Sequence, residues 1–276
     1  MIHILLSTYN GARYLGEQLD SIIAQSYTDW RLFVRDDGSL DDTLRILTEY
    51  AGKDERIKLL KDGENLGACR SFERLMMQCG GADYYAFADQ DDVWKPEKLA
   101  ICVEAMRQQE GLHPHKPIVV HTDLQVVDEK MHEIAPSFWQ YSNIRPDLLD
   151  SRKYYLAICN SVTGCAMLFN EAARAAALPF PPAAYMHDAW IALKTLLSGG
   201  CLIPIHQTPI AYRQHGDNVL GAVEYKVLGR SVSRRRYEAH ISYARAKGYV
   251  YRNKVQFLIW KMIYFIHRQW YTRCHE

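Results

Sequence analysis

The chain has 276 residues, 48% hydrophobic and 24% charged, an ordinary globular make-up that suits one large domain or one domain plus an appendage. Seven scattered cysteines, an odd number with no C-x-x-C pair, speak against a disulfide framework or zinc site, and no run of about 18 uncharged apolar residues marks a membrane span. The net charge of +1 hides an asymmetry: from Lys226 onward twelve Lys and Arg face two acids, Glu238 and Glu276, whereas the remainder holds 21 basic against 30 acidic residues.

The first half alternates strand and helix signals. Ile2–Leu6 is a short apolar run with neither the basic start nor the cleavage site of a signal peptide, so a cytoplasmic protein is expected. The loop S-T-Y-N-G follows, and then Leu15, Leu19, Ile22 and Ile23 recur at helical spacing. Trp30–Val34 is the next strand and runs into D-D-G-S, where Ser39 or Asp41 can cap a helix reaching Tyr50. Ile57–Leu60, Tyr84–Ala88 and Ile118–His121 read as further strands, with a helix over Ala68–Cys79 and another begun by Pro96. This order implies βαβ units around a mainly parallel sheet. The second half is less regular. Residues 136–160 read as loop and irregular helix, Val162–Phe169 as strand, Glu171–Ala177 and Trp190–Leu197 as helices, and Leu202–Ile205 as a late strand.

In such sheets ligands bind beyond the carboxyl ends of the strands. Three polar loops fall there: S-T-Y-N, D-D-G-S and D-Q-D-D. Asp89, Asp91 and Asp92 occupy four positions directly after an apolar strand, and a hard divalent cation, Mg²⁺ or Mn²⁺, is the usual reason for such crowding. Asp37 can cap a turn or accept the imide N–H of a uracil or thymine base. Asn65 and Gly67 in E-N-L-G-A also lie at the rim, as a plain turn or a ligand contact. Asp188, in M-H-D-A-W, is a helix cap or a general base for a hydroxyl nucleophile. Arg213 and His215, two apart in Y-R-Q-H-G-D-N, share a face if extended, and together suit a diphosphate with His215 as a further metal ligand. Gly216 and Gly221 suggest a loop that closes over the ligand.

The tail carries a helical stripe: Val255, Leu258, Ile259, Met262, Ile263 and Ile266, flanked by Lys254, Lys261 and Arg268. It reads as a helix docked on the body, as a dimer contact, or as a basic amphipathic helix on an anionic membrane. No nucleic-acid-binding module is present. The expected division is a domain over 1–225 and a basic helical tail over 226–276.

Together, I-L-L-S-T-Y-N-G (4–11), V-R-D-D-G-S-L-D-D-T (34–43), N-L-G (65–67), F-A-D-Q-D-D-V-W-K-P (87–96) and H-D-A-W (187–190) resemble glycosyltransferase family 2, the inverting enzymes of GT-A fold, over about residues 1–220. T-G-C-A-M-L-F-N (163–170) and Y-R-Q-H-G-D-N-V-L-G (212–221) resemble its bacterial rhamnosyltransferase-like branch. The resemblance implies a metal-dependent hexosyltransferase that moves one sugar, rhamnose in that branch, from a dTDP- or UDP-sugar to a saccharide or lipid-linked acceptor. The setting it implies is surface polysaccharide, capsule or lipopolysaccharide assembly, with the chain peripheral on the inner membrane face. It implies that Thr8 and Tyr9 line the base pocket, Asn10 contacts the donor, Asp37 reads the base, and Asp89 contacts the ribose or the metal shell. Asp91 would hold the cation, Asp188 would act as base, and Arg213 and His215 would meet the diphosphate or metal. Where the family often carries Glu-Asp this chain has His187-Asp188, which removes the acceptor contact a Glu would make. A sugar nucleotidyltransferase would need a Gly-rich phosphate loop that S-T-Y-N-G lacks, and a phosphatase would need its Asp pair after the first strand. A non-catalytic nucleotide-sugar-binding protein on the same fold stays as the alternative.

Overall fold

The computed structural model describes residues 1–60, 64–182, 184, 186–216, 218, 221–222 and 248–275. The expected boundary at 225/226 lies outside the described residues.

Apolar runs bounded by polar loops form the central strands. Strand β1 (Ile2–Thr8) pairs in parallel with β2 (Trp30–Asp36) and with β4 (Tyr84–Ala88), and β2 pairs with β3 (Ile57–Leu59). Strand β6 (Ile118–Thr122) is parallel to β10 (Cys201–Ile205). One strand, β9 (Met167–Asn170), runs opposite to its neighbours β4 and β6 and joins the halves into a seven-stranded sheet, β10-β6-β9-β4-β1-β2-β3. The sheet is therefore mainly parallel, as expected. The expected strand over Val162–Phe169 is shorter because Gly164–Ala166 forms a 3₁₀ turn, its Ala166 N–H bonded to the Thr163 carbonyl.

Helices cover both faces, so β1 is buried on both sides and reads as a continuous apolar run. Its alternation sorts the two cores. Ile2, Ile4 and Leu6 pack with Leu15 and Leu19 of α1 (Leu15–Ile23) and with Leu99 of α4 (Lys98–Leu112). Leu5 packs on the other face with Phe72 and Leu75 of α3 (Ala68–Gln78) and with Ile191 of α9 (His187–Leu197). Each such side chain contributes about 1.5–3 kcal/mol by leaving water. Helix α2 (Thr43–Lys53) lies beside α1, and α8 (Glu171–Ala177) packs on α9. The α9 helix starts at His187, earlier than expected, so Asp188 sits in its first turn and Met186 is the N-cap.

A second sheet of four strands, β5-β11-β7-β8, lies past the D-Q-D-D loop. Strand β5 (Val93–Trp94) pairs antiparallel with β11 (Ile210–Arg213), which is parallel to β7 (Gln125–Val127); β8 (Glu133–Ala135) closes the edge. This pairing of positions about 120 residues apart delivers the Q-H-G-D-N loop to D-Q-D-D. The 136–160 stretch is broken into short helices α5 (Phe138–Tyr141), α6 (Pro146–Leu149) and α7 (Lys153–Leu156).

The C-terminal helix α10 (Lys254–His275) docks on α7. Trp260 stacks on Tyr154 with ring centroids 4.3 Å apart, and the Tyr251 hydroxyl donates to the Tyr154 carbonyl. Of the three readings of the tail, the helix does dock on the body, but not through its aliphatic stripe. Aromatic residues Trp260 and Tyr264 make the docked face, and of the stripe only Ile263 leans inward. Among the described residues no helix is long and apolar enough to cross a membrane.

Candidate active site

A cavity of about 1040 Å³ opens at the carboxyl ends of β1, β2 and β4. It is lined by ten of the eleven site residues expected from the sequence, all but Arg213.

The first three loops are tied to one another. The Thr8 hydroxyl donates to Asp36 Oδ1 at 2.9 Å, and Asp36 also accepts the Ser39 N–H at 2.8 Å, folding D-D-G-S into an Asx-type turn. Asn10 sits at φ 47°, a left-handed conformation that Asn tolerates. Its N–H donates to Ser39 Oγ at 2.8 Å and its Oδ1 accepts the Leu40 N–H at 2.8 Å. Tyr9, 48% exposed, has both backbone groups paired with the Gln90 side-chain amide, at 2.9 and 3.0 Å. That amide also accounts for the glycine of S-T-Y-N-G, since a Cβ on Gly11 would lie 2.2 Å from Gln90 Oε1.

Asp37 is buried beneath this wall. Its Oδ1 accepts from the Leu66 N–H at 2.7 Å, from Ser71 Oγ at 2.9 Å and from the buried Arg35 guanidinium; its Oδ2 accepts the Gly67 N–H at 2.8 Å. Burial alone would raise this carboxyl, but the bonds from Leu66, Arg35, Ser71 and Gly67 outweigh it and hold it below the usual carboxylate range. Gly67 has φ 73°, which lets the loop turn both amides onto Asp37. With one bond on Oδ2, Asp37 keeps acceptor capacity on the cavity side.

The D-Q-D-D acids divide by depth. Asp91 Oδ2 lies 2.7 Å from His215 Nε2 and accepts Asn218 Nδ2 at 3.1 Å, while Asn218 Oδ1 accepts the His215 N–H at 2.6 Å. Asp89 also faces the cavity; burial, then the charges of Asp91 and Asp188, push its carboxyl up to about 7. Asp92 is fully buried and accepts the Arg213 N–H at 3.2 Å, so it braces the loop from behind. Among the described residues, ligating atoms of Asp89, Asp92 and Cys165 lie within 4.8 Å of one another. That trio is a poor cation site, because Asp92 and Cys165 are shut away from the cavity and burial keeps the thiol protonated. The donors that face the cavity, Asp89, Asp91 and His215, suit Mg²⁺ or Mn²⁺, which accept carboxylate oxygen and imidazole.

Arg213 departs from expectation. It is 2% exposed, and its guanidinium donates to the Asp91 carbonyl at 2.9 Å, the Glu129 carbonyl at 2.8 Å and Glu17 at 2.6 Å, over the Tyr14 ring. β11 ends at Arg213, so the two-residue rule of a strand does not carry on to His215: His215 lines the cavity and Arg213 does not. Arg213 holds the backbone of D-Q-D-D and is not part of the cavity lining.

The opposite wall comes from α9 and the Gly164–Ala166 turn. Asp188 Oδ1 accepts the Ala189 N–H at 2.5 Å, and the Gly164 N–H adds to it. Burial outweighs these bonds and pushes the carboxyl up to about 6. His187 also lines the cavity, 3% exposed, with its ring 4.0 Å from that of Phe72 and 4.8 Å from that of Phe87. Among the described residues neither ring nitrogen has a partner, and burial lowers the imidazole to about 3, so it is neutral. A Cβ on Gly164 would lie 2.6 Å from His187 Nε2, so glycine makes room for that ring. Gln90, Asn218, Gly164 and His187 were not among the expected site residues. The Q of D-Q-D-D and the N of H-G-D-N were visible signals; the role of Gly164 depends on a contact 23 positions away and had none. The stretch read as irregular supplies Ser142, Ile144 and Asn160 to the cavity rim.

The model of the family "Glycosyl transferase family 2" matches residues 3–175. The chain is 26% identical over 223 residues to an uncharacterized glycosyltransferase of Haemophilus influenzae, covering 79% of the chain and 66% of that protein. It is 25% identical over 253 residues to the putative teichuronic acid biosynthesis glycosyltransferase TuaG of Bacillus subtilis, covering 91% and 87%. Over 105 residues, 37% of the chain and 36% of the relative, it is 35% identical to the dTDP-rhamnosyl transferase RfbG of Shigella flexneri. Among solved structures it resembles S. aureus TarS 1-349 in complex with UDP-GlcNAc (TM-score 0.59, 19% identity, 79% of the chain and 59% of TarS 1-349). It also resembles the mannosyltransferase PcManGT from Pyrobaculum calidifontis in complex with GDP-Man and Mn²⁺ (TM-score 0.57, 18% identity, 74% and 54%). At these identities the structural likeness shows the fold.

Proposed function

The chain belongs to glycosyl transferase family 2, and from that premise we propose that its cavity binds a nucleotide-diphosphate sugar and passes one sugar, with inversion, to a hydroxyl of a saccharide or lipid-linked acceptor. The acceptor oxygen attacks the anomeric carbon from the face opposite the diphosphate. Its proton passes to the Asp188 carboxylate, the bond from the anomeric carbon to the diphosphate oxygen breaks, and the nucleoside diphosphate leaves. A carboxyl pushed to about 6 is mostly ionised at neutral pH yet basic enough to take that proton.

Thr8, Tyr9, Asn10 and Asp37 take the base in this reading, and Asn65, Gly67 and Asp89 the ribose and diphosphate side. Asp91 and His215, with Asp89 beside them, would hold Mg²⁺ or Mn²⁺, whose charge offsets that of the departing diphosphate. Uracil and thymine both carry the imide N–H that Asp37 can accept, which supports a UDP- or dTDP-sugar. Similarity to the dTDP-rhamnosyl transferase supports rhamnose, and similarity to a teichuronic acid biosynthesis glycosyltransferase supports surface polysaccharide as the setting.

The observation that carries the reading is the convergence of Asp188 and the Asp91–His215 pair on one cavity. Its test is release of nucleoside diphosphate from a panel of nucleotide sugars, with Mg²⁺, Mn²⁺ or chelator, for wild type and Asp91→Ala. Metal-dependent release from one donor, lost in the variant, is the expected result. Near-normal turnover by Asp91→Ala would remove the metal assignment, and no binding of any donor would remove the whole reading.

A further inference from the structure

We propose that the outward face of the C-terminal helix is a docking surface for an anionic lipid bilayer, on which the protein lies without crossing it. The inference is independent of the chemistry assigned to the cavity.

Helix α10 has two faces with different occupants. Its inner face is fixed to the body: Tyr264 is 2% exposed, and Trp260 lies flat on Tyr154. This packing leaves the other face no freedom to turn inward. On that face Val255, Leu258, Ile259, Met262, Ile266 and Trp270 are 64, 51, 48, 60, 59 and 65% exposed. Their spacing of three and four residues makes one continuous stripe along the helix. Scattered exposed apolar residues are ordinary, but an aligned row of this length marks an interaction surface.

Charge selects the occupant. Residues 254–275 contain no Asp or Glu but four Lys and Arg, of which Lys254 and Lys261 flank the stripe while Arg268 turns inward to Tyr264, and seven further Lys and Arg lie in 226–247. Long basic side chains beside an apolar stripe can reach lipid phosphates while the stripe enters the acyl boundary. An indole near the end of such a stripe suits the headgroup layer. A second copy of the chain fits less well, because two-fold pairing sets the same patch, and so the same cations, against itself. Spanning is ruled out for this helix by its hydropathy.

The test is flotation of the full chain with phosphatidylglycerol/phosphatidylcholine vesicles and with pure phosphatidylcholine vesicles, at low and high salt, beside light scattering without lipid. Met262→Asp/Ile266→Asp disrupts the stripe at exposed positions, and Leu112→Asp, at an apolar residue 69% exposed elsewhere, is the control. Binding to the anionic vesicles, weakened by salt and at least about tenfold lower in the double variant than in the control, is expected. Circular dichroism checks that the double variant stays folded; Leu258→Ser/Ile266→Ser repeats the test with a milder change. Absence of wild-type binding, equal binding to neutral vesicles, or unchanged binding by the variants overturns the proposal. So does a wild-type dimer that the double variant converts to monomer while lipid binding is absent.

Discussion

The two walls of the cavity treat their polar groups in opposite ways. On the wall made by the first three loops, Thr8, Asn10, Asp36, Asp37, Ser39 and Gln90 are bonded to one another or to backbone. On the wall made by α9, Asp188 is held above its ordinary range by burial, and among the described residues His187 has no partner for either nitrogen. The first pattern makes a rigid, preformed surface. The second leaves polar groups whose desolvation is not offset within the protein, as expected where a substrate supplies the missing interaction.

The sharpest way to break this contrast is Asp188→Asn. Turnover should fall by about 10²–10⁴ while the fold holds, measured as nucleoside diphosphate release beside a thermal melt. Asp188 has a folded-state pKa raised above its unfolded value, so stability falls as pH rises from 3.8 to about 6 and the full penalty stands at pH 7. The Asn variant should therefore melt no lower than wild type at pH 7; a clear loss of stability would make Asp188 a structural cap. On the other wall, Asp37→Ala removes the carboxylate that faces the fully buried Arg35 guanidinium, which should cost about 3–5 kcal/mol in denaturant unfolding. Here the sign reverses. The depressed carboxyl of Asp37 gives stability that is present above its unfolded value of 3.8 and lost as pH falls through the folded one. A mild effect of Asp37→Ala would mean that the first wall is not held as described.

The pH profile separates the walls without mutation. kcat/KM should fall through about pH 7 as Asp89 takes up a proton and more steeply below about 6 as Asp188 does; Asp188→Asn should lose only the second, steeper part. The smallest effect is Gly164→Ala, whose methyl would press on His187 and cost about 1–3 kcal/mol. Combining it with His187→Ala should recover most of that loss, and strict additivity would show that the two residues do not touch.

The strands and rim loops were legible because each motif carries its own local chemistry: an apolar run, then Asp, Gly, Asn or Ser to turn the chain. Pairings between distant segments left no such local mark. The reversed direction of β9, the second sheet and the inward turn of Arg213 all depend on strands paired across long stretches of sequence. For Arg213 the alternation rule of a strand holds only to the residue where β11 stops. The C-terminal stripe was visible, but which face docks was not. Amphipathic reasoning assigns the aliphatic row to the interior, whereas here flat aromatic rings on the other side stack against the tyrosines of α7.

The single reversed strand has a consequence for the chemistry of the rim. Parallel strands present their outgoing ends to the cavity, and those loops supply the acids and the amide side chains. Strand β9 presents its incoming end, since Met167 lies opposite His121 near the rim and Asn170 opposite Tyr84 at the far edge. The turn that feeds it therefore arrives at the rim and points a peptide N–H, that of Gly164, at Asp188. Reversing the direction of one strand in seven thus brings a peptide N–H, rather than another acid, to the side of the carboxylate proposed as the base.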